Sequence, residues 1–138
     1  MNSATKAETL ATREAVYRIG ELSKEFDVTL RTLRFYEDKG LLTPRRIGNT
    51  RLYSRADRTR LKLILLGKRV GLSLLDVKEI LDLYDPKGNN LRQLEVAFQK
   101  GQEQMESLQS QRKEIDAAIE ELEQSLETVR GLIESAAA

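Results

Sequence analysis

The segment VTLRTLRFYEDKGLL, residues 28–42, concentrates groups suited to recognising nucleic acid rather than to catalysis. At helical spacing Leu30, Leu33 and Tyr36 share one side, which leaves Arg31, Thr32, Arg34 and Phe35 off that side and near the helix N-terminus. A guanidinium can take the O6/N7 edge of guanine with two hydrogen bonds or hold a phosphate, and a threonine hydroxyl reaches a base or a phosphate oxygen. Further on, Arg45, Arg46 and Arg51 flank Gly48-Asn49-Thr50, and Tyr53 adds a hydroxyl on an apolar body. Arg55, Arg58, Arg60 and Lys62 extend the basic run. The 138 residues include no Cys and no His, which excludes thiol nucleophiles, Ser-His pairs, disulfides and ordinary zinc or copper sites. Acid-base catalysis would rest on Asp, Glu, Lys or Tyr alone, and neither a phosphate-cradling Gly-rich loop nor a nucleophile elbow is present.

Those arginines need a scaffold. Residues 1–15 are small and polar without a sustained apolar stripe and read as a flexible tail, with ordered structure beginning near Tyr17. Ile19, Leu22 and Phe26 in IGELSKEF predict a first helix that stops at Asp27-Val28. Thr29 is suited to cap a second helix, which should end at Lys39-Gly40, where Gly can adopt the left-handed conformation. Two short helices around a tight turn predict a helix-turn-helix. The runs Arg45 to Ile47 and Arg51 to Tyr53, separated by Gly48-Asn49-Thr50, predict a hairpin wing that must pack against the helices because it is short. Leu61, Ile64 and Leu65 mark a third helix ending near Gly71; Ser73 and Asp76 start a fourth that runs to about Tyr84; residues 85–90, DPKGNN, form a loop.

Beyond the loop, Leu94, Phe98, Gly101, Met105, Leu108, Arg112, Ile115, Ile119, Leu122, Leu126, Val129 and Ile133 succeed one another at alternating steps of four and three. Only Gly101 and Arg112 interrupt the apolar character of this heptad seam. A helix over 91–134, on the order of 60 Å long, cannot bury one such stripe by itself. It is too long to fold back on a domain of about 70 residues, so the expected partner is a second copy of the chain. Residues 135–138 are left as a short tail.

The formal charge of +1 hides two opposed segments: residues 16–78 carry a net +8 and residues 79–138 a net −7. A basic segment joined to an acidic one points to nucleic-acid contact in the basic part. No stretch approaches the roughly 20 apolar residues of a membrane span, and the N-terminus lacks a secretory signal. The expectation is therefore a cytoplasmic protein without a membrane partner.

The run YRIGELSKEFDVTLRTLRFYEDKGLL, then PRRIGNTRLYS and the helix pair up to LDLYD, resembles the DNA-binding domain of the MerR family of bacterial transcription regulators. The likeness covers residues 16–84, with LRFYE, GLL and the R-x-Y of the wing in place, and the coiled-coil arm comes where the family has one. It implies a mainly α fold, a winged helix-turn-helix followed by a long antiparallel coiled-coil dimerisation helix. It further implies a homodimer on a palindromic element of double-stranded promoter DNA. On the family's pattern Arg31, Thr32, Arg34 and Tyr36 of the second helix, Arg46, Asn49, Arg51 and Tyr53 of the wing, and Arg18 at a phosphate-contact position are expected at the DNA; the chemistry of the hairpin adds Arg45. Activators of the family bend and untwist an overlong spacer so that RNA polymerase engages both promoter hexamers, a readout by deformation.

The family's metal and oxidation sensors use Cys at the end of the dimerisation helix, and this sequence has none; too few residues come after Ile133 for a drug-binding domain. No cofactor is expected. Residues 50–88 are similar to the LiuR-like branch, regulators of branched-chain amino acid and acyl-CoA degradation genes. A small-metabolite effector would sit near Tyr84 and the 85–90 loop. The competing reading is a coiled-coil adaptor whose basic domain docks an acidic protein.

Overall fold

The computed structural model describes residues 16–138; the tail expected over 1–15 lies outside the described residues. The chain divides into two units, meeting at Glu95 and Val96. In the first, β1 (Val16–Arg18) leads directly into α1 (Ile19–Phe26). Arg18 is the N-cap, and Glu21 reaches back to accept from its backbone N–H at 3.2 Å. The helix ends because Asp27 turns left-handed, φ 53°, a conformation that Asp tolerates better than most residues.

Helix α2 (Leu30–Asp38) starts at Thr29, whose hydroxyl accepts from the Thr32 N–H at 3.0 Å. It stops before Gly40, where φ is +74°. Strands β2 (Arg45–Ile47) and β3 (Thr50–Ser54) form the wing. Its connection is tighter than the sequence suggested: Thr50 already pairs with Ile47, which leaves Gly48-Asn49 as a two-residue turn with positive φ on Gly48. Such a turn matches the twist of paired strands.

The wing does not stand as an isolated hairpin. β1 pairs antiparallel with β3 in the register Val16↔Ser54, Tyr17↔Tyr53, Arg18↔Leu52, giving a three-stranded sheet in the order β1-β3-β2. A three-residue strand is too short to announce itself by alternation, so its existence rests on the hydrogen bonds that β3 offers.

Helix α3 (Arg55–Val70) is capped by Ser54, which accepts from the Asp57 N–H at 3.1 Å. The Asp57 carboxylate is buried and accepts in return from the Ser54 N–H and hydroxyl, each at 3.1 Å, and from the Thr43 N–H at 3.2 Å. One side chain thus ties the approach to the wing to the helix that leaves it. Gly71, at φ +87°, ends α3, and Ser73 caps α4 (Leu74–Asp82), which stops two residues short of Tyr84. A Cβ on Gly67 would lie 2.6 Å from Val77 Cγ2, so only glycine permits this closeness of α3 and α4. The core gathers Leu22, Leu33, Leu41, Leu42, Leu61 and Ile64 with the rings of Tyr36 and Tyr53.

The long helix α5 (Leu91–Ala137) has 47 residues and continues through three of the four positions expected as a tail. All ten apolar residues of the heptad seam are exposed, from 40% at Leu108 to 67% at Phe98. The fold is mainly helical with a small antiparallel wing. Among the described residues no helix is long and apolar enough to cross a membrane.

Candidate nucleic-acid interface

Two grooves collect the basic residues. The first, of about 580 Å³, lies between the start of α1 and the wing, and Arg18, Lys24, Asn49, Thr50 and Arg51 line it with Glu21. The pairing of β1 with β3 sets this geometry, because it fixes Arg18 opposite Leu52, one residue beyond Arg51. The second groove, of about 330 Å³, lies between α2 and the α3–α4 turn; Arg31, Thr32 and Phe35 face Lys68 across an apolar floor that includes Leu72 and Leu74. Arg34 is exposed on α2, and Arg45 and Arg46 are exposed on β2. Eight of the ten residues expected at DNA are therefore wholly or partly accessible on β1, α2 and the wing.

Tyr36 and Tyr53 are the two corrections. Their side chains are 1% and 0% exposed and belong to the core, so neither ring stands on the surface that DNA would meet. Tyr36 recurs with Leu33 on the inner side of α2, and Tyr53 is the inward-pointing residue of β3. Burial raises the pKa of both phenols, and at Tyr53 the Glu37 charge adds to the effect. Leu30, placed on the inner side from its spacing, stays exposed in the first turn.

The extension of the basic run also divides. Arg58 clasps Glu25 with Nε, at 2.8 and 3.0 Å from the two carboxylate oxygens, and its guanidinium lies 5.8 Å from the Tyr17 ring and 5.6 Å from the Phe26 ring. Arg60 donates to the Leu41 carbonyl at 2.8 Å and to Asp82 at 3.2 Å. Both arginines are engaged within the domain, Arg58 by α1 and Arg60 by α4 and the Leu41 carbonyl, and neither lies on the grooves beside α2.

Three residues of the site do not stand out in the sequence. Lys24 extends from α1 to the first groove, and Lys68 reaches the second from the last turn of α3. The charge count of the basic segment contains both, but their direction depends on how the helices pack. The third is Glu37, which accepts from Arg51 Nε at 2.8 Å and from Arg46 Nη2 at 3.0 Å. Partial desolvation raises its pKa, and the hydrogen bonds and charges of the two arginines outweigh that, so the carboxyl titrates below its ordinary range. Among the described residues no group of three His, Cys, Asp or Glu could hold a metal ion. What the surface offers is cationic and hydrogen-bonding, spread over a helix and a wing. That is a surface for a polyanion.

Comparison with known proteins points the same way. The family described as "MerR HTH family regulatory protein" matches residues 17–84, and the one described as "MerR, DNA binding" matches residues 58–132. The chain is 34% identical over 111 residues to the HTH-type transcriptional regulator ZntR of Escherichia coli strain K12, covering 78% of this chain and 72% of that protein. Among solved structures it is similar to a MerR family transcriptional regulator from Bacillus cereus, with TM-score 0.65 and 28% identity, over 79% of this chain and 78% of the other. It is also similar to MtaN, the N-terminus of the Bacillus subtilis multidrug transporter activator, with TM-score 0.60 and 29% identity, over 80% of this chain and 97% of the other.

Proposed function

The chain belongs to the MerR family of helix-turn-helix regulatory proteins, and from that membership we propose that it is a homodimeric, cytoplasmic transcription regulator that binds promoter DNA sequence-specifically. Residues 16–84 form the DNA-binding domain in this reading, and residues 91–134 form the dimerisation arm, an antiparallel coiled coil with the partner's helix. The observation that carries it is the line of Arg31, Thr32 and Lys68 along one groove, beside a wing whose Arg46 and Arg51 are tied to the same helix α2.

α2 enters the major groove in this arrangement, with Arg31, Thr32 and Arg34 toward base edges and phosphates. Arg45, Arg46, Asn49 and Arg51 meet the backbone or minor groove beside it, and Arg18 and Lys24 hold phosphates. The exposed heptad seam supports the second copy: a stripe of ten accessible apolar residues on one helix is buried by an equivalent helix. With one winged domain on each half of a palindromic site, the dimer bends and untwists the promoter spacer so that RNA polymerase engages both hexamers. The pathway reading is control of branched-chain amino acid or acyl-CoA degradation genes, supported by the likeness of residues 50–88 to the LiuR-like branch. A small-metabolite effector is supported by a concavity of about 350 Å³ lined by Thr59, Leu63, Leu81, Tyr84 and Gln93 among others. It is mostly apolar with a few polar groups, as small-molecule sites are.

Binding to a duplex enriched from a random pool, set against a scrambled duplex of the same composition, tests the proposal. Affinity for the enriched duplex should fall with salt at a log-log slope of about −0.9 for each phosphate neutralised. Arg31→Ala should weaken that binding by about 1–3 kcal/mol while the protein stays folded. Equal affinity of Arg31→Ala for the enriched duplex would overturn the site assignment. No preference for any sequence at moderate salt would favour the adaptor. Genomic footprinting of the bound sites relative to promoter hexamers separates untwisting from simple occlusion.

A further inference from the structure

The wing carries a like-charge pair that its own strands do not neutralise. In the β2–β3 ladder Arg46 lies directly opposite Arg51, and like charges facing each other across paired strands weaken the pairing. The answering anion comes from outside the sheet. Glu37, in the last turn of α2, gives Oε2 to Arg51 Nε at 2.8 Å and Oε1 to Arg46 Nη2 at 3.0 Å. Each carboxylate oxygen therefore holds a different strand.

The clamp is anchored at its base. Glu37 is next to Tyr36, whose ring is locked in the core, so α2 cannot turn to release the carboxylate without unpacking. The Glu37 side chain is 17% exposed and that of Arg51 24%, whereas Arg46 keeps 57% of its side-chain surface open. Two guanidiniums on one carboxylate leave a net positive charge. A guanidinium has five N–H donors, and Glu37 occupies one on each arginine, so both retain donors for phosphate.

We propose that Glu37 is a positioning residue for DNA recognition: by holding Arg46 and Arg51 from α2, it makes the recognition helix and the wing one rigid reading surface without touching DNA itself. The inference rests on the DNA-binding reading above. A positioning residue and a simple counter-charge differ in the effect of removing them. Were Glu37 only a neutralising charge, replacing it with Gln would strengthen the attraction for every duplex alike, because one negative charge near the phosphates is lost. As a positioning residue, its loss frees the wing from the helix, so recognition of the right sequence suffers while attraction to DNA in general does not.

The experiment compares wild type, Glu37→Gln and Glu37→Asp on a duplex enriched from a random pool by the wild-type protein and on a scrambled duplex. It also monitors amide hydrogen exchange across residues 45–54 in the free protein. For Glu37→Gln the ratio of enriched to scrambled affinity should fall at least tenfold, with scrambled binding equal or tighter, and the wing amides should exchange faster. Glu37→Asp keeps the charge but is one methylene too short to bridge both arginines, and should lose at least threefold in the ratio. A ratio within twofold of wild type for Glu37→Gln overturns the proposal. If that variant does not fold, the same twofold limit applied to Glu37→Asp decides. If the wild type enriches no sequence, the regulator reading fails, and wing exchange unchanged in the variants then overturns the clamp separately.

Discussion

Truncating the middle of the seam should take the dimer apart without harming the helix. Ile119 and Leu122 are 50% and 59% exposed in the single chain, and complete burial of such a side chain is worth about 1.5–3 kcal/mol. Covering the exposed half of each therefore contributes about 1 kcal/mol. In a symmetric homodimer the pair Ile119→Ala and Leu122→Ala removes four side chains at once, a loss of about 3–4 kcal/mol, or roughly two to three decades in dimer Kd. Alanine is the best helix former, so α5 itself should lose no helicity, which circular dichroism checks. Sedimentation equilibrium from nanomolar to tens of micromolar reads the effect directly. Gln124→Ala lies on the opposite side of the helix from the seam and serves as the control, expected within about threefold of wild type. A double variant that also stays within threefold, or a wild type that sediments as a monomer at micromolar concentration, would refute the assignment of the seam as a dimer interface.

The first unit gives two further expected outcomes. Asp57→Ala strips the carboxylate from the Thr43 and Ser54 N–H groups and removes one arm of the α3 capping box, so urea unfolding should show a loss of about 2–4 kcal/mol; a loss below about 1 kcal/mol would mean that water replaces the carboxylate freely. Acid should weaken the domain through Glu37 and Asp82, whose pKa values are held low, that of Asp82 chiefly by its hydrogen bond with Lys78. A carboxyl with a depressed folded pKa contributes stability that is present above its unfolded pKa of about 4 and is lost as the pH falls through the folded value. The urea midpoint should hold from about pH 7 to 5 and decline below about 4.5, less steeply in Glu37→Gln; identical acid profiles for the two proteins would count against the clamp.

Much of the fold was legible because its signals are local. Thr29, Ser54 and Ser73 cap helices through contacts within three residues, and Gly40 and Gly71 sit where the chain must turn left-handed. The seam of α5 was legible for the same reason: helical periodicity shows in the order of residues before anything packs. β1 was not, since three residues alternate too briefly to be distinguished from a loop until β3 pairs with them. Nor were the roles of the two tyrosines. An aromatic ring with a hydroxyl suits both a core and a phosphate; the helical spacing put Tyr36 on the side of Leu33 without deciding between the two, and the packing of α2 and β3 into the core decided it for Tyr36 and Tyr53.

The sequence by itself determined the kind of surface this protein has: a segment of net +8 without Cys or His, on a helix-turn-helix and wing, joined to an acidic helix with an unpartnered apolar stripe. These properties are sums and periods along the chain, and they hold whatever the packing. The tertiary structure decided how the charges are divided. Arg58 and Arg60 were drawn into ion pairs and carbonyl contacts inside the domain; Lys24 and Lys68 were turned toward the grooves; and Glu37, fourteen residues from Arg51, became the anion that joins the wing to α2. Such pairings depend on distances across the fold, which charge and spacing along a chain do not encode.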